Sequence, residues 1–314
     1  MQVFHQLADV PAGFGPTIVS VGNFDGVHRA HLRVLEEIVS RARQQKIKAV
    51  VITFEPHPTR ILRPDANFKL LTPTPEKLRL LGEAGVEAVF LLPFSRDLSL
   101  LTPAEFAQQI LQQGLHAREV HEGYNFHFGH KASGNVTFMA GLGRELGFET
   151  ISYPEMRLRG EPVSSSRIRK LLSDGKVSRA RHLLGRSFSI LSTPGRGRGY
   201  GSKYTVPTIN LSRYEEMVPK DGVYITRTRV AEECFDSVTN IGNRPTFGAD
   251  SFAIETHLLN FHPLDLTPET QVELFFLARI RDEIKFPSVE ALREQIGRDV
   301  KRAQRYLHLM HRGK

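Results

Sequence analysis

The chain has 314 residues, a single cysteine and a formal net charge of +8, with 40% hydrophobic and 24% charged residues. That balance excludes a disordered chain and is long enough for two domains with separate cores. The lone Cys234 excludes an intrachain disulfide and points to a reducing, cytoplasmic compartment.

No apolar run approaches the roughly twenty residues that span a bilayer. Met1-Gln2-Val3-Phe4-His5 lacks the basic and apolar parts of a signal peptide. The basic surplus is concentrated: from Arg279 to Lys314 ten Lys/Arg face five Asp/Glu, so +5 of the +8 lies there. Elsewhere the charges are interspersed, which suits phosphorylated small molecules rather than nucleic acid.

In chain order, the apolar run Thr17-Ile18-Val19-Ser20-Val21 predicts a buried strand, and Gly22-Asn23-Phe24-Asp25-Gly26-Val27-His28 a turn into a helix. Leu35, Ile38, Val39 and Ala42 give that helix its buried face. Such a turn aims backbone N–H groups at an anion, and His28 and His31, three residues apart, share one side of the first helical turn. Imidazoles there can donate to phosphate oxygens; a zinc pair would need further ligands that no Cys cluster or His-Glu-x-x-His pattern supplies.

Val50–Phe54 and Ala88–Leu92 read as further buried parallel strands. Helix starts are expected at Thr74-Pro75 and at Thr102-Pro103-Ala104-Glu105, the second with a capping box. Residues 135–146, 167–172 and 177–184 read as helical. This alternation predicts a Rossmann-like α/β domain with a parallel sheet. Thr53-Phe54-Glu55-Pro56-His57-Pro58 ends one strand where such sheets bind ligands, although His57 also reads as part of a rigid proline turn. Gly123-Tyr124-Asn125-Phe126-His127-Phe128-Gly129 ends another. Ser164, Ser165 and Ser166 open a helix with Arg169 on its first turn, which serves as caps or as a triphosphate clamp.

Beyond Gly185 the pattern becomes antiparallel, with runs such as Gly222–Thr226 and Val272–Phe276 that predict a small β-barrel. The boundary is placed there, giving domains 1–185 and 186–314. Gly195, Gly197, Gly199 and Gly201 precede Val206-Pro207-Thr208-Ile209-Asn210. Alone, the glycines read more readily as a flexible linker between domains than as a nucleotide loop. Thr208 and Asn210, two apart on a strand, face one way and offer oxygen donors to Mg²⁺. A final helix capped by Ser288 carries one apolar stripe, Val289, Leu292, Ile296, Val300, Ala303, Leu307 and Met310, expected to pack.

Taken in order, Gly-Asn-Phe-Asp-Gly-Val-His, Thr-Phe-Glu-Pro-His-Pro, Gly-x-Asn-Phe-x-Phe-Gly, Val-Ser-Ser-Ser-x-Ile-Arg and Pro-Thr-x-Asn resemble the prokaryotic FAD synthetases, bifunctional riboflavin kinase/FMN adenylyltransferases. The resemblance runs the length of the chain. It implies phosphorylation of riboflavin by ATP in the barrel, then adenylylation of FMN in the α/β domain. His28 and His31 would be catalytic in the second step, stabilising charge on the phosphates; Ser164, Ser165, Ser166 and Arg169, with the turn Gly22–Gly26, would bind ATP there, and Asn125 and His57 would lie near the ligands. Gly197, Gly199, Gly201, Lys203 and Pro207 would bind ATP in the first, with Thr208 and Asn210 on Mg²⁺ and Glu255 as general base. Ala30, Ser202, Thr205 and Asn260 depart from the family pattern; Lys203 offers a replacement positive charge near Ser202. The partners implied are ATP, riboflavin and FMN, with no nucleic acid or membrane; a homo-oligomer is left open. Another nucleotidyl transfer enzyme, or a flavin-binding regulator without turnover, are the rival readings.

Overall fold

The continuous apolar runs of the first half become parallel strands of one sheet in the computed structural model, which describes residues 1–195, 208–243, 252–262, 264 and 266–312. The strands are β1 (Gln2–Phe4), β2 (Thr17–Val21), β3 (Lys48–Glu55), β4 (Ala88–Pro93), β5 (Ala117–Gly123) and, after the short pair β6 (His127–Phe128) and β7 (Gly134–Asn135), β8 (Glu149–Tyr153). Between them run α1 (Arg29–Gln45), α2 (Pro58–Leu62), α3 (Thr74–Glu83), α4 (Pro103–Phe106) and α5 (Val136–Leu146).

The sheet order is β1-β4-β3-β2-β5-β8, every neighbouring pair parallel. Alternate residues of each strand feed two apolar layers. Ile18, Val51 and Val89 meet Leu35 and Ile38 of α1 on one face; Val19, Ile52 and Phe90 meet Leu111 and Met139 on the other. From β2 the chain builds outward through β3 and β4, then returns to the other side of β2 for β5. The order therefore reverses between β2 and β5, which is where open α/β sheets leave a ligand crevice at the strands' carboxyl ends.

A short pair, β9 (Arg157–Leu158) and β10 (Glu161–Pro162), precedes α6 (Ser165–Ser173) and α7 (Val177–Leu184). Next come β11 (Phe188–Ser192), β12 (Thr208–Asn210), β13 (Gly222–Val230), β14 (Glu233–Asn243), β15 (Phe252–Leu258), β16 (Val272–Arg281) and α8 (Val289–Arg312). These six strands form an antiparallel sheet in the order β11-β16-β13-β14-β15-β12. Its two ends meet: the Gly195 N–H donates to Asn210 O and the Ser212 N–H to Thr193 O, both at 2.8 Å, which curls the sheet into a barrel. By internal packing the chain divides into two units, Met1–Ser165 and Ser166–Lys314.

Three local expectations change. The helix at residue 74 begins on Thr74 itself, with Pro73 in the cap position, and the Thr74 hydroxyl donates to the Glu55 carboxylate. Only the second half of the α8 stripe packs. Ala303 and Leu307 are buried against Val223, Ile225 and Leu277, flanked by Val300 and Met310, whereas Val289, Leu292 and Ile296 are exposed. At 24 residues the helix is about 36 Å long and runs past the sheet it covers. The Thr102 capping box and the Ser288 cap form as expected, and Asn135, read as helical, instead caps α5 by accepting the Phe138 N–H.

Candidate active sites

At the carboxyl end of β2 the turn is built from left-handed residues, Phe24 (φ 47°), Gly26 (φ 88°) and Val27 (φ 36°). Phe24 and Val27 are buried, so side-chain burial offsets the strain of a positive φ at residues other than glycine. The Gly22 N–H donates to Ile52 O at 2.9 Å. The Asp25 carboxylate is buried and accepts the N–H groups of Leu71 (2.9 Å) and Thr72 (3.0 Å), so it pins a neighbouring loop to the turn.

His28 caps α1: its Nδ1 accepts the His31 N–H at 3.3 Å. A neutral ring that accepts at Nδ1 carries its proton on Nε2, so that the N–H lies at the positive end of the helix. The His31 ring stacks on it, centroids 3.6 Å apart and 15° from parallel, and Phe24 backs His31 at 4.9 Å. The serine motif reaches this turn. Ser165 Oγ donates to Asp25 O at 2.8 Å, which brings the start of α6 to the histidine turn. Ser164 and Arg169 are half-buried and Ser166 exposed.

The other expected residues lie at neighbouring strand ends. His57 caps α2 through Nδ1, which accepts the Thr59 N–H at 3.2 Å, and stacks on Phe68 at 4.3 Å. Asn125 is exposed just past β5, its carbonyl 2.9 Å from His127 Nδ1.

Sequence reasoning missed two groups beside this turn. Lys77 on α3 is buried, with Nζ 3.2 Å from Thr53 Oγ1 and 3.5 Å from Asn23 O; Thr53 Oγ1 also donates to Asn23 O at 3.2 Å. Burial pushes its pKa down, opposed by the charges of Glu55 and Asp25. The available signal was a lysine at i−3 and i−4 from Leu80 and Leu81, on the helix's apolar face. The second is Glu122. The β2–β5 ladder ends at Val19–Val120, and beyond it the buried Glu122 carboxyl accepts the Val21 N–H at 2.6 Å. Burial raises that carboxyl well above the usual range, against the effect of the Val21 hydrogen bond.

In the barrel, β12 pairs with β15 so that Thr208 lies opposite His257 and Asn210 opposite Glu255. On the other side of β15, Glu255 lies opposite Asn240 of β14. Three strands thus set Asn240, Glu255 and Asn210 in one half-buried row. Thr208 Oγ1 is 3.3 Å from His257 Nδ1, and burial lowers the His257 pKa, which favours the neutral ring. Glu283, just past β16, approaches the row: the Asn240 amide donates to Glu283 Oε1 at 3.4 Å, and Gly242, lacking a Cβ, leaves room for that carboxylate. Gly197, Gly199, Gly201, Ser202, Lys203, Thr205 and Pro207 lie outside the described residues.

The FAD synthetase family matches residues 12–167 and the riboflavin kinase family residues 184–307. Over 97% of its length the chain is 32% identical to the bifunctional riboflavin kinase/FMN adenylyltransferase of Pseudomonas fluorescens, covering 97% of that protein. The chain belongs to this bifunctional family. It is 31% identical to the Escherichia coli K12 member, over 97% of this chain and 96% of that one. A crystal structure from Streptococcus pneumoniae, described as a macrolide-efflux protein, shares the fold with a TM-score of 0.87 at 26% identity, covering 96% of this chain and 98% of its own. Among the described residues no helix is long and apolar enough to cross a membrane. The first family's match takes in the histidine turn and the serine motif, and the second takes in the Asn240–Glu255–Asn210 row.

Proposed function

We propose that this chain makes FAD from riboflavin in two ATP-dependent steps, phosphorylation at the barrel row and adenylylation at the turn after β2. The observation that carries the reading is the direct cross-strand pairing of Glu255 with Asn210. It sets a carboxylate beside oxygen donors suited to a nucleotide's metal ion.

In the first step the ribityl 5′-hydroxyl oxygen attacks the γ-phosphorus of ATP. Its proton passes to Glu255, the bond from the γ-phosphorus to the β,γ-bridging oxygen breaks, and ADP leaves. Thr208 and Asn210, a hydroxyl and an amide on one face of β12, are hard oxygen donors that fit Mg²⁺. Bound there, the ion would offset charge on the transferring phosphoryl group. Gly197, Gly199, Gly201, Lys203 and Pro207 belong to the ATP loop of this step in the same reading.

In the second step a phosphate oxygen of FMN attacks the α-phosphorus of another ATP. The bond to the α,β-bridging oxygen breaks and pyrophosphate leaves, with no covalent enzyme intermediate. The donor at His28 Nε2, the stacked His31 and the helix N-terminus meet the charge that builds on those phosphates. Gly22, Asn23, Phe24, Asp25 and Gly26 shape the turn; Ser164, Ser165, Ser166 and Arg169 bind the nucleotide, and His57 and Asn125 border the ligands. The assignment of residues 1–185 to this step and 186–314 to the kinase is part of the proposal. So are a cytoplasmic site of action and a partner set of small molecules alone, without nucleic acid.

The test is chromatography of riboflavin and Mg²⁺-ATP incubated with the purified chain, which should yield FMN and then FAD. His28→Ala combined with His31→Ala should accumulate FMN and form no FAD. Loss of both products in that variant would refute the division of labour.

A further inference from the structure

Five hydroxyls close a ring inside the barrel. Thr226 and Thr228 of β13, Ser237 and Thr239 of β14, and Thr256 of β15 are all fully buried. Thr239 donates to Thr256 at 2.9 Å, and the circuit continues from Thr256 to Thr228 at 3.1 Å, Thr228 to Ser237 at 2.8 Å, Ser237 to Thr226 at 2.7 Å and Thr226 to Thr239 at 2.8 Å. Each hydroxyl has two neighbours, so each can donate once and accept once, and the ring satisfies its own members. With one bond's direction set, all five rotors follow it, and such a chain of bonds is mutually polarising. Around it the interior is apolar or aromatic: Tyr224, Ile254, Leu258 and Phe276 are buried. A hydroxyl left without its neighbour there would be strongly disfavoured.

The ring lies directly behind the barrel row. Thr239 and Thr256 are partners in the β14–β15 register, and the next rung is Asn240 with Glu255. Successive residues of a strand point to opposite faces, so the hydroxyl bond is inside and the Asn240–Glu255 pair is on the other face. β15 has seven residues and contributes one hydroxyl, Thr256, adjacent in the chain to Glu255. A slip of β15 by one residue would turn Thr256 out and carry Glu255 inward, and the ring permits no such slip without leaving four hydroxyls broken open.

We infer that this hydroxyl ring is a positioning device for phosphoryl transfer: by tying Thr256 to β13 and β14 it fixes the Glu255 carboxylate against Asn210 and Asn240. The inference rests on the reading of Glu255 as the base. Thr256 is a positioning residue and touches no substrate.

Thr256→Val keeps the shape, removes one hydroxyl and leaves Thr228 and Thr239 each a partner short. In the full-length chain it should lower kcat for riboflavin phosphorylation by about tenfold or more, since misplacement of a catalytic group by about 1 Å can lower rates by up to about 10²-fold. KM for ATP should hold, the acid limb of the kinase pH profile should move, and formation of FAD from supplied FMN should be unchanged. Thr256→Ser, which restores the hydroxyl, should restore kcat. If Thr256→Val does not fold, Thr228→Val opens the same ring from β13 and should give the same pattern. A folded Thr256→Val or Thr228→Val chain with a lower Tm but an unaltered kcat and pH profile overturns the inference, provided Glu255→Gln is inactive. A Glu255→Gln chain with full kinase activity overturns instead the reading of the base on which the inference stands.

Discussion

Glu119 on β5 is buried and accepts hydrogen bonds from Arg41 (Nε at 2.7 Å), from Gln45 and from His121 Nε2 at 2.8 Å. His121, fully buried, has its Nδ1 2.7 Å from the Tyr153 hydroxyl. With Nε2–H given to Glu119, Nδ1 accepts from Tyr153, whose own pKa burial lifts to about 12. Burial pushes the Glu119 carboxyl up, but Arg41, His121 and Gln45 outweigh it and hold it at about 2. Burial also pushes His121 below its ordinary 6.5, against the pull of Glu119. Both groups therefore bind protons less readily in the folded chain than in the unfolded one. Stability is fully present above about pH 6.5, the His121 share is lost as pH falls below that value, and the Glu119 share is lost from about 4.5 towards 2. Tm followed from pH 7.5 to 4 should decline from about 6.5 downward, and His121→Gln, which keeps a donor for Glu119, should flatten the first part of that decline. An unaltered slope in the variant would remove His121 from the account. None of this network was legible in the chain. Residues 119 and 121 look like one side of an ordinary strand, and Arg41 and Gln45 meet Glu119 across more than seventy residues of sequence. The histidine turn, by contrast, was legible because its cap, ring stack and glycines all lie within ten residues.

Elements were readable where the physics is local. The Thr102 capping box is complete within four residues, and the buried strands β2, β3 and β4 announce themselves as unbroken apolar runs. Readings failed where a distant element decides. Thr74 lies inside α3 rather than at its cap, and its hydroxyl reaches the Glu55 carboxylate nineteen residues away in the chain. The α8 stripe is continuous in sequence, but periodicity does not say how far the sheet beneath it extends. Arg281 at the end of β16 holds Asp299 at 2.8 Å, and the apolar positions before that residue, Val289, Leu292 and Ile296, face out. Two substitutions on the same stripe should therefore differ sharply. Ile296→Ser, at a position 42% exposed, should change the urea unfolding free energy by no more than about 0.5 kcal/mol. Leu307→Ala, at 2% exposure, should lower it by about 2–5 kcal/mol. Equal effects would mean that the helix packs along its whole length. The pairing of Glu255 with Asn210 belongs with these distant effects: no spacing predicts which strand will neighbour which, and only the family pattern put both residues in one site.

Across the whole molecule the proposal separates two cleavages of ATP, each assigned to residues of a different fold. Transfer from the barrel breaks the nucleotide between its β and γ phosphorus atoms, and transfer at the histidine turn breaks it between α and β. Analogues in which one bridging oxygen is replaced by a methylene group block one cleavage and leave the other bond intact. With β,γ-methylene ATP the chain should form no FMN from riboflavin, yet supplied FMN should become FAD with release of methylenediphosphonate. With α,β-methylene ATP riboflavin should become FMN and stop there. Mixing the two analogues with riboflavin should restore FAD, because each step then has a cleavable nucleotide. The product ratios follow from the same bookkeeping: with ATP, each FAD made from riboflavin releases one ADP and one pyrophosphate, and each FAD made from FMN releases pyrophosphate alone. A single nucleotide site serving both steps would behave differently: His28→Ala combined with His31→Ala would then abolish FMN formation from α,β-methylene ATP together with FAD formation from β,γ-methylene ATP. Running each analogue separately with that variant, with flavin products resolved by chromatography, decides between the two arrangements: FMN formation that survives the loss of FAD means separate sites.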